Sequence, residues 1–354
     1  MKLSFGILLF CSSLFLGWPF LSGAQDPLFE GSVEDSPEIH LDLFETDTPL
    51  DITLTFDMKR YQRSKMKGEL IPATFSYTLN DSVRMNKSTP IKARGEFRRG
   101  YCFYAPFWLY IKGSGLKVGE HGDIERMKVV TQCMRSHSYE NYLLKEYLAY
   151  RKFELLTPAS FRTRLVRLTY VDTGRKNKET LTWGFILEPE EMLAERLNGV
   201  VIEDLIPGID RMEREAMNLV SVFEYMIGNP DYSIRGVHNV KLLGLPGYKA
   251  VGYTLVPYDF DYSGFVNAMY AIPADELPIS TVTERIYLGP CREREEYRRT
   301  LDHVLGFQEE IMLLVSSFPY LSKGQKKEIR YYLENYFEQS ESSGLEHSFR
   351  NSCR

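Results

Sequence analysis

The chain has 354 residues, of which 44% are hydrophobic, and it carries a formal net charge of −5 at pH 7. This length is sufficient for two lobes or for one large domain. The mild acidity argues against a general nucleic-acid-binding protein, because such proteins usually carry a basic patch.

The first 24 residues have the pattern of a cleaved signal peptide. Met1 and Lys2 give a positive start, an apolar stretch follows, and Ser22 and Ala24 are small residues before the expected cleavage after Ala24. An uncleaved membrane anchor is the alternative interpretation. No later stretch contains the roughly 20 apolar residues that a membrane helix needs. We therefore predict an exported protein (periplasmic, at the cell surface or extracellular) with no stable membrane span after cleavage.

Four cysteines remain after this cleavage: Cys102, Cys133, Cys291 and Cys353. An even number of cysteines in an exported protein suggests disulfide bonds, and four cysteines allow three pairings. Their spacing matches no pattern typical of a zinc site. We expect Cys102 to pair with Cys133, because both lie on predicted neighbouring strands.

The first half of the chain has the pattern of a β-sheet that contains one helix. Residues 25–50 are acidic and show no sustained periodicity, so we interpret them as a tether. From residue 51, apolar and polar residues alternate as in half-buried strands. Residues 138–156 change to helical spacing, with Ser138 as the predicted N-cap, and two more strands follow. These patterns predict a β-rich N-terminal lobe over residues 51–189.

The second half is mostly helical in pattern. The strongest helix is predicted to begin at Asp210, which forms a capping box with Glu213, and it carries one apolar stripe typical of core packing. Two more helices close the chain, and the last one, over residues 323–338, has a capping box formed by Ser322 and Gln325.

Together these patterns predict an α+β fold with two lobes. The helical C-terminal lobe spans residues 190–338 and contains one inserted hairpin. Residues 339–354 are polar and are expected to form a flexible tail. A cleft between two such lobes is a usual place for a ligand.

The predicted hairpin brings acidic and amide side chains towards one end. Residues 245–248 form a turn signal between two strand-like runs. Antiparallel pairing brings Asn239 back near Asp259 with an offset of about four residues, and the loop that contains Asp231 leads into the first strand. We therefore expect these three side chains to converge.

Oxygen-bearing side chains in this order suit phosphoryl transfer. Mg²⁺ usually binds one or two carboxylates together with phosphates and water. In protein kinases one aspartate accepts the proton of the acceptor hydroxyl, and an asparagine and a second aspartate hold the metal ions. The order Asp231, Asn239, hairpin, Asp259 is the kinase order. Turn formation alone is the alternative, but Asp259 and Asp261 flank Phe260 at a position where solubility does not need two acids.

Two runs, GNPDYSIRGVHN (228–239) and VPYDFDYSG (256–264), resemble motifs of the spore coat protein H kinase-like family, an atypical secreted kinase family. The preceding strands and helix also occur in the same order, so that the resemblance covers roughly residues 90–290. It implies a secreted or surface protein with an atypical protein-kinase-like fold that binds ATP and Mg²⁺.

The resemblance also implies roles for the residues of these motifs. Asp231 takes the place of the catalytic-loop aspartate, Asn239 that of the metal-binding amide, and Asp259 that of the metal-binding aspartate after the hairpin. The interval from Asp231 to Asn239 is longer than in the usual kinase pattern. Asp261 stands where glycine is usual, which makes it a candidate second metal ligand. We expect His238 to form a hydrogen bond within the loop.

A kinase also needs a lysine on the phosphates that pairs with a helix glutamate. Lys128 is our main candidate, because its strand immediately precedes the predicted helix. Glu140 and Glu146 on that helix are its candidate partners. Lys92 and Lys112 are alternative lysines.

Other nucleotide contacts are predicted from position. The linker near Glu188 would offer backbone groups to adenine. Arg94, Arg98 and Arg99 could bind phosphate, since guanidinium groups match phosphate oxygens, or they could form a solvated strand face. The chain has no glycine-rich GxGxxG loop.

Two functions of different classes follow. The first is an exported ATP- and Mg²⁺-dependent kinase that acts on a protein or cell-envelope acceptor. The second is a catalytically inactive, kinase-shaped binding or structural protein of the cell envelope, which fits the scarcity of ATP outside the cytoplasm. A metal-dependent hydrolase is a third alternative, but it lacks the expected histidine clusters, since the chain has only six histidines.

Overall fold

The structure is a computed structural model that describes residues 39–41, 43–80, 83–118, 124–342 and 344–354. All of them belong to a unit that runs from Glu38 to Arg354. The predicted signal peptide over residues 1–24 and the greater part of the predicted tether over residues 25–50 lie outside the described residues.

Strands are the main regular structure of the described chain before Glu188. In chain order they are β1 (Ile39–Leu41), β2 (Leu50–Phe56), β3 (Thr74–Asn80), β4 (Val83–Ser88), β5 (Ile91–Ala93), β6 (Phe107–Tyr110), β7 (Leu116–Val118), β8 (Arg126–Thr131), β9 (Thr163–Asp172) and β10 (Lys178–Leu187). Within the described residues, eight of them form a sheet in the order β4-β3-β2-β9-β10-β8-β6-β5, and β1 pairs with β7. Neighbours in the large sheet are antiparallel except β2 and β9.

Helices dominate the chain after Glu188. Within the described residues, three helices precede Glu188: α1 (Met58–Ser64), α2 (Phe97–Tyr101) and α3 (His137–Leu156). Seven follow it: α4 (Glu190–Arg196), α5 (Arg214–Ile227), α6 (Tyr248–Val251), α7 (Arg294–Leu305), α8 (Gln308–Ser317), α9 (Lys323–Glu341) and α10 (Gly344–Ser352). A second, antiparallel sheet consists of β11 (Val200–Ile202), β12 (Val240–Gly244) and β13 (Thr254–Pro257). The fold is therefore mixed α+β, with a strand-rich N-terminal region and a helical C-terminal region.

Helix α3 lies between the large sheet and the C-terminal helices. It contacts β9, β10 and α8 as well as the turn at residues 260–262. Because these neighbours cover it from several sides, the eight consecutive residues 143–150 are all buried, including Glu146. Its N-cap is Ser136 rather than the predicted Ser138.

Helix α5 begins later than the sequence predicts. The predicted capping box starts the helix at Asp210, whereas residues Ile209–Arg211 form a 3-10 turn and α5 begins at Arg214. The backbone N–H of Glu213 donates to the carbonyl oxygen of Tyr253 at 2.8 Å. This pairing with the chain before β13 keeps the backbone extended, so the capping box does not form. The capping box predicted for α9 is confirmed.

The predicted hairpin is present as β12 and β13, with one difference. Residues 249–251, predicted as the start of the second strand, form helix α6 together with Tyr248, the last residue of the predicted turn. Because α6 takes up residues between the strands, Asn239 lies opposite Tyr258, whose backbone N–H donates to the Asn239 carbonyl oxygen at 2.9 Å. Asp259 is the next residue after Tyr258, so its register offset from Asn239 is one residue and not the predicted four or so.

The end of the chain packs on the helical region. Where the sequence predicts a flexible tail over residues 339–354, α9 continues and α10 follows, with Leu345 and Phe349 buried. A disulfide between Cys291 and Cys353 attaches this end to the loop before α7. The four-residue spacing of Leu345 and Phe349 is the sequence signal that indicates a helix here.

The predicted disulfide between Cys102 and Cys133 is confirmed. Cys102 caps the end of α2, and Cys133 follows β8, so the bond connects these two elements. None of the helices in the described residues combines the length and the hydropathy needed for a membrane crossing.

We expect Phe349→Ala to lower the free energy of unfolding by about 3–5 kcal/mol, because it leaves a cavity in the core. The Phe349 ring lies 4.2 Å from the Tyr287 ring and 4.8 Å from the Tyr225 ring, centroid to centroid. Urea denaturation of the oxidised protein measures the change. The matched control is Tyr331→Ala, whose side chain is 74% exposed; a Phe349→Ala variant as stable as this control would contradict the packing of α10.

Candidate functional site

Three carboxylates meet where the hairpin end approaches helix α3. Glu146, Asp259 and Asp261 each place one oxygen within 4.8 Å of the others. Glu146 and Asp261 are buried, and Asp259 is half-buried. We call these three residues the carboxylate cluster. Carboxylate oxygens this close together are suitable ligands for a divalent cation such as Mg²⁺.

A tight turn places the two aspartates. Asp259 adopts a left-handed backbone conformation with φ 65°, which is uncommon for residues other than glycine. Its backbone N–H donates to Tyr150 Oη at 2.8 Å. Phe260 is fully buried, and its ring lies 4.6 Å from Tyr150 and 5.5 Å from Phe223. The buried ring and the hydrogen bond from Asp259 thus fix the turn from which both aspartates reach the cluster.

A buried guanidinium joins two of the three carboxylates. Arg98 of α2 donates from Nη2 to Glu146 Oε2 at 2.6 Å and from Nε to Asp261 Oδ2 at 2.7 Å. Three ionised carboxylates and one guanidinium would leave a formal charge of −2. The other oxygen of Glu146, Oε1, is buried without a hydrogen-bond partner, and Asp259 forms no side-chain ion pair among the described residues. With its carboxylates ionised, the cluster therefore has both the charge and the free oxygens for a divalent cation.

The electrostatics of the cluster reflect this crowding. Burial raises the pKa of Glu146 and of Asp261 above the usual range of carboxyl groups, while Arg98 opposes the rise. The charge of Asp259 raises both pKa values further. Arg98 thus compensates the carboxylates only in part.

Asp231 lies in a hydrogen-bonded loop near the cluster. Asn239 Nδ2 donates to the Asp231 carbonyl oxygen at 2.6 Å and to its Oδ2 at 3.1 Å. His238 Nε2 lies 3.2 Å from Asp231 Oδ1, as expected for a hydrogen bond within the loop. Burial raises the pKa of Asp231, His238 lowers it, and the charge of Asp259 raises it. The Asp231 side chain is 41% exposed, so it is held in place and still reachable.

A buried acid of α5 supports this loop. Glu224 Oε2 accepts a hydrogen bond from Asn229 Nδ2 at 3.0 Å, and Asn229 Oδ1 accepts one from the Asp231 N–H at 3.1 Å. Glu224 is fully buried and pairs with no cation among the described residues. Burial therefore raises its pKa well above the usual range. The sequence around Glu224 gives no sign of this role, because a single acid in an apolar helix has no local signature.

The structure does not bring Lys128 to either of its predicted partners. Its Nζ lies 2.5 Å from Glu190 Oε1, and Lys241 Nζ lies 3.0 Å from Glu190 Oε2. Glu146 forms its ion pair with Arg98. Glu140 lies 3.7 Å from His137 at the surface of α3. Strand pairing explains why Lys128 reaches Glu190 and not a glutamate of α3.

On β8, Lys128 is directly opposite Leu187 of β10. Glu190 follows three residues after Leu187 and begins α4, so the amine reaches this helix instead of α3. Of the alternative lysines, Lys112 is exposed in the turn after β6, and Lys92 is half-buried on β5.

Glu188 has partners within the protein. It is fully buried, and its carboxylate forms ion pairs with Arg162 at 2.8 Å and Arg196 at 2.9 Å. Its backbone N–H donates to the Arg162 carbonyl oxygen at 2.9 Å. These contacts attach the start of α4 to the start of β9, and this N–H is not free for an adenine ring.

Basic side chains surround an indole on the neighbouring strands. Arg94, Arg126 and Lys128 lie 5.1, 4.4 and 5.5 Å from the ring centroid of Trp108. Lys128 also lies 5.4 Å from the ring of Tyr258, the residue before Asp259. A cationic strand face thus adjoins the acidic turn.

A cavity of about 460 Å³ lies elsewhere, between α5, α7 and the end of α3. It shares no lining residue with the carboxylate cluster, with Asp231 or with Lys128. Its size alone does not make it the functional site, because none of the converging groups described above faces it.

The chain matches no model of a known protein family, and no curated protein matches it. The resemblance to the spore coat protein H kinase-like family therefore stays a hypothesis that rests on the quoted motifs.

We expect Arg98→Met to lower the free energy of unfolding at neutral pH by about 3–5 kcal/mol, because it leaves buried carboxylates without their counter-charge. Adding Glu146→Gln to this variant should restore part of the loss. Arg175→Met, at a side chain that is 72% exposed, is the control. Equal unfolding midpoints for Arg98→Met and this control would show that the buried ion pairs do not form.

The stabilising effect of Glu224→Gln should grow with pH. The pKa of Glu224 is higher in the folded protein than the value of about 4.3 expected in the unfolded chain. As pH rises above that value, the unfolded chain releases a proton that the folded protein keeps, so the free energy of unfolding falls. Glutamine removes this dependence.

Chemical denaturation at about pH 5 and about pH 8 measures this difference for Glu224→Gln and for the wild type. Glu334→Gln, at a partly exposed side chain, should show no comparable trend. A stability difference for Glu224→Gln that is the same at both pH values would refute the assignment of a raised pKa.

Proposed function

We propose that this protein is an exported kinase that transfers phosphate from ATP, with Mg²⁺, to a hydroxyl group of a protein or cell-envelope acceptor. The observation that carries the proposal is the carboxylate cluster of Glu146, Asp259 and Asp261 beside the loop of Asp231 and Asn239. In kinases the same residue types hold the metal ions and orient the acceptor hydroxyl.

The cluster would hold Mg²⁺ through the free oxygens of Asp259 and Glu146. Asn239 would contribute its Oδ1, because its Nδ2 already donates to Asp231. Asp261, predicted as a second ligand, uses Oδ2 to hold Arg98 and completes the negative charge of the cluster. Bound Mg²⁺ would neutralise the charge of the ATP phosphates.

Asp231 would orient the acceptor hydroxyl. Its carboxylate is fixed by Asn239 and His238 and is partly exposed. The acceptor oxygen forms a bond to the γ-phosphorus while the bond from that phosphorus to the β–γ bridging oxygen breaks and ADP leaves. The hydroxyl proton passes to the Asp231 carboxylate. Because the transition state of phosphoryl transfer is loose, correct positioning matters more than a strong base.

The order of elements supports an atypical, bilobal kinase-like fold. Strand β8 with Lys128 precedes α3 with Glu146, two strands lead to the linker at Glu188, and Asp231 and Asp259 follow in the helical region. The proposed lobes are residues 51–189 and 190–338. In this arrangement Arg98, and not Lys128, pairs with the glutamate of α3.

Export is part of the proposal. The two disulfides support it, because disulfides persist mainly in oxidising environments outside the cytoplasm. The predicted signal peptide points the same way.

A kinase-shaped protein that binds its ligand without turnover is the second candidate. In active protein kinases the strand lysine and the helix glutamate form an ion pair. Here Lys128 pairs with Glu190 instead, and this observation favours the inactive alternative.

Incubation of the mature protein with labelled ATP and Mg²⁺ distinguishes the two candidates. We expect autophosphorylation or transfer to a general protein acceptor by the wild type. Asp231→Ala should reduce the rate on the order of 10²–10⁴-fold, and Asp259→Asn should abolish the Mg²⁺-dependent transfer. Asp51→Asn, at an exposed side chain, should change neither.

Binding measured by calorimetry completes the test. Mg²⁺-dependent ATP binding without transfer would support the inactive alternative. The kinase proposal would be wrong if the wild type bound no ATP. It would also be wrong if transfer were equal in the wild type and in all three variants.

A further inference from the structure

Most cations near the cluster already have ionic partners. Arg98 is buried between Glu146 and Asp261. Lys128 and Lys241 both pair with Glu190. Each of these three side chains therefore already has at least one carboxylate partner within the protein.

Arg94 differs from these cations. It directly follows β5, is half-buried, and forms no salt bridge among the described residues. Its backbone N–H donates to the Pro106 carbonyl oxygen at 2.8 Å, which fixes the main chain. Its guanidinium carbon lies 5.1 Å from the Trp108 ring centroid. Contact with an aromatic face holds a guanidinium and leaves its N–H groups available at the edge.

Arg94 lies close to the turn that carries Asp259. It contacts the Trp108 ring, and Lys128 Nζ lies 5.5 Å from that ring and 5.4 Å from the ring of Tyr258, the residue before Asp259. Burial raises the pKa of Tyr150, and the positive charge of Arg94 is among the effects that oppose this rise. The same holds for Tyr258, where Lys241 also lowers the pKa. Tyr150 accepts the hydrogen bond from the Asp259 N–H, and Tyr258 precedes Asp259 in the chain. Arg94 therefore lies on the cationic strand face that adjoins the turn of Asp259.

We infer that Arg94, supported by Trp108, forms the subsite for the polyphosphate of a nucleoside triphosphate, opposite the carboxylate cluster. This inference rests on the proposed function and assigns the phosphate-binding role to Arg94 instead of Lys128. A planar guanidinium can donate two parallel hydrogen bonds to phosphate oxygens. A divalent cation on Asp259 and the guanidinium of Arg94 would bind oxygens of the same polyphosphate.

The protein contains a matched control for this subsite. Arg126 also lies over the Trp108 ring, at 4.4 Å. It is exposed, and its Nη1 lies 3.4 Å from Tyr110 Oη on β6. Its charge is not among the principal effects on Tyr150 or Tyr258. Removing Arg126 takes one positive charge away from the same indole and leaves Arg94 in place.

Calorimetric titration with ATP, ADP and adenosine in the presence of Mg²⁺ tests the inference. We expect Arg94→Gln to weaken ATP binding by about 10-fold or more, to weaken ADP binding less, and to leave adenosine binding unchanged. Arg94→Lys should fall between Arg94→Gln and the wild type, because lysine keeps the charge but not the fork of donors. Arg126→Gln should bind all three ligands like the wild type.

The outcomes separate this inference from the proposed function. If the wild type binds ATP and Arg94→Gln binds it as tightly as Arg126→Gln does, the Arg94 subsite is wrong while the kinase proposal stands. An equal loss for ATP and adenosine would also overturn it, because it would indicate a general structural effect. A wild type that binds no ATP overturns both proposals. Thermal unfolding of each variant checks the fold, and Arg94→Lys provides the test if Arg94→Gln does not fold.

Discussion

The buried pairing of Arg98 with two carboxylates is the interaction on which the arrangement of the site depends. A desolvated guanidinium is costly unless it is paired and hydrogen-bonded, and the partners of Arg98 come from helix α3 and from the turn after β13. These segments are 48 and 163 residues away from Arg98 in sequence. The short helix α2 has no side-chain cap, and the disulfide of Cys102 holds its end next to β8. The network therefore positions Glu146 and Asp261 together.

The same network explains why the site keeps an unbalanced negative charge. One guanidinium cannot neutralise three carboxylates, and Glu146 Oε1 has no partner within the protein. Arg94, Arg126 and Lys128 do not enter the cluster, because they contact Trp108 or pair with Glu190. Charges of opposite sign thus remain on neighbouring surfaces without cancelling. This separation suits a ligand that brings both phosphate groups and a divalent cation, and strongly perturbed carboxyl groups are typical of functional sites.

Local patterns predicted those elements whose partners are also local. Alternating strands, the helical spacing of α3 and the capping box of α9 all appear in the structure. Predictions were wrong where a remote backbone competes for the same groups. The start of α5 shifts because Glu213 pairs with Tyr253, and α6 replaces part of a predicted strand. The tail is packed because Phe349 enters a core formed with Tyr287 and Tyr225, and none of these contacts is visible in the tail sequence.

The sequence by itself determined which chemical groups are present near the hairpin and in which order. Asp231, Asn239 and Asp259 flank one end of the paired strands β12 and β13. The antiparallel pairing of these strands brings their flanking residues together. Only the tertiary structure decided which cation meets Glu146. Lys128 and Arg98 both precede α3 in the chain, but Lys128 lies opposite Leu187 in the sheet and therefore reaches α4. The register of the sheet and the packing of α2 set the direction of each side chain, and neither follows from the spacing of charged residues along the sequence.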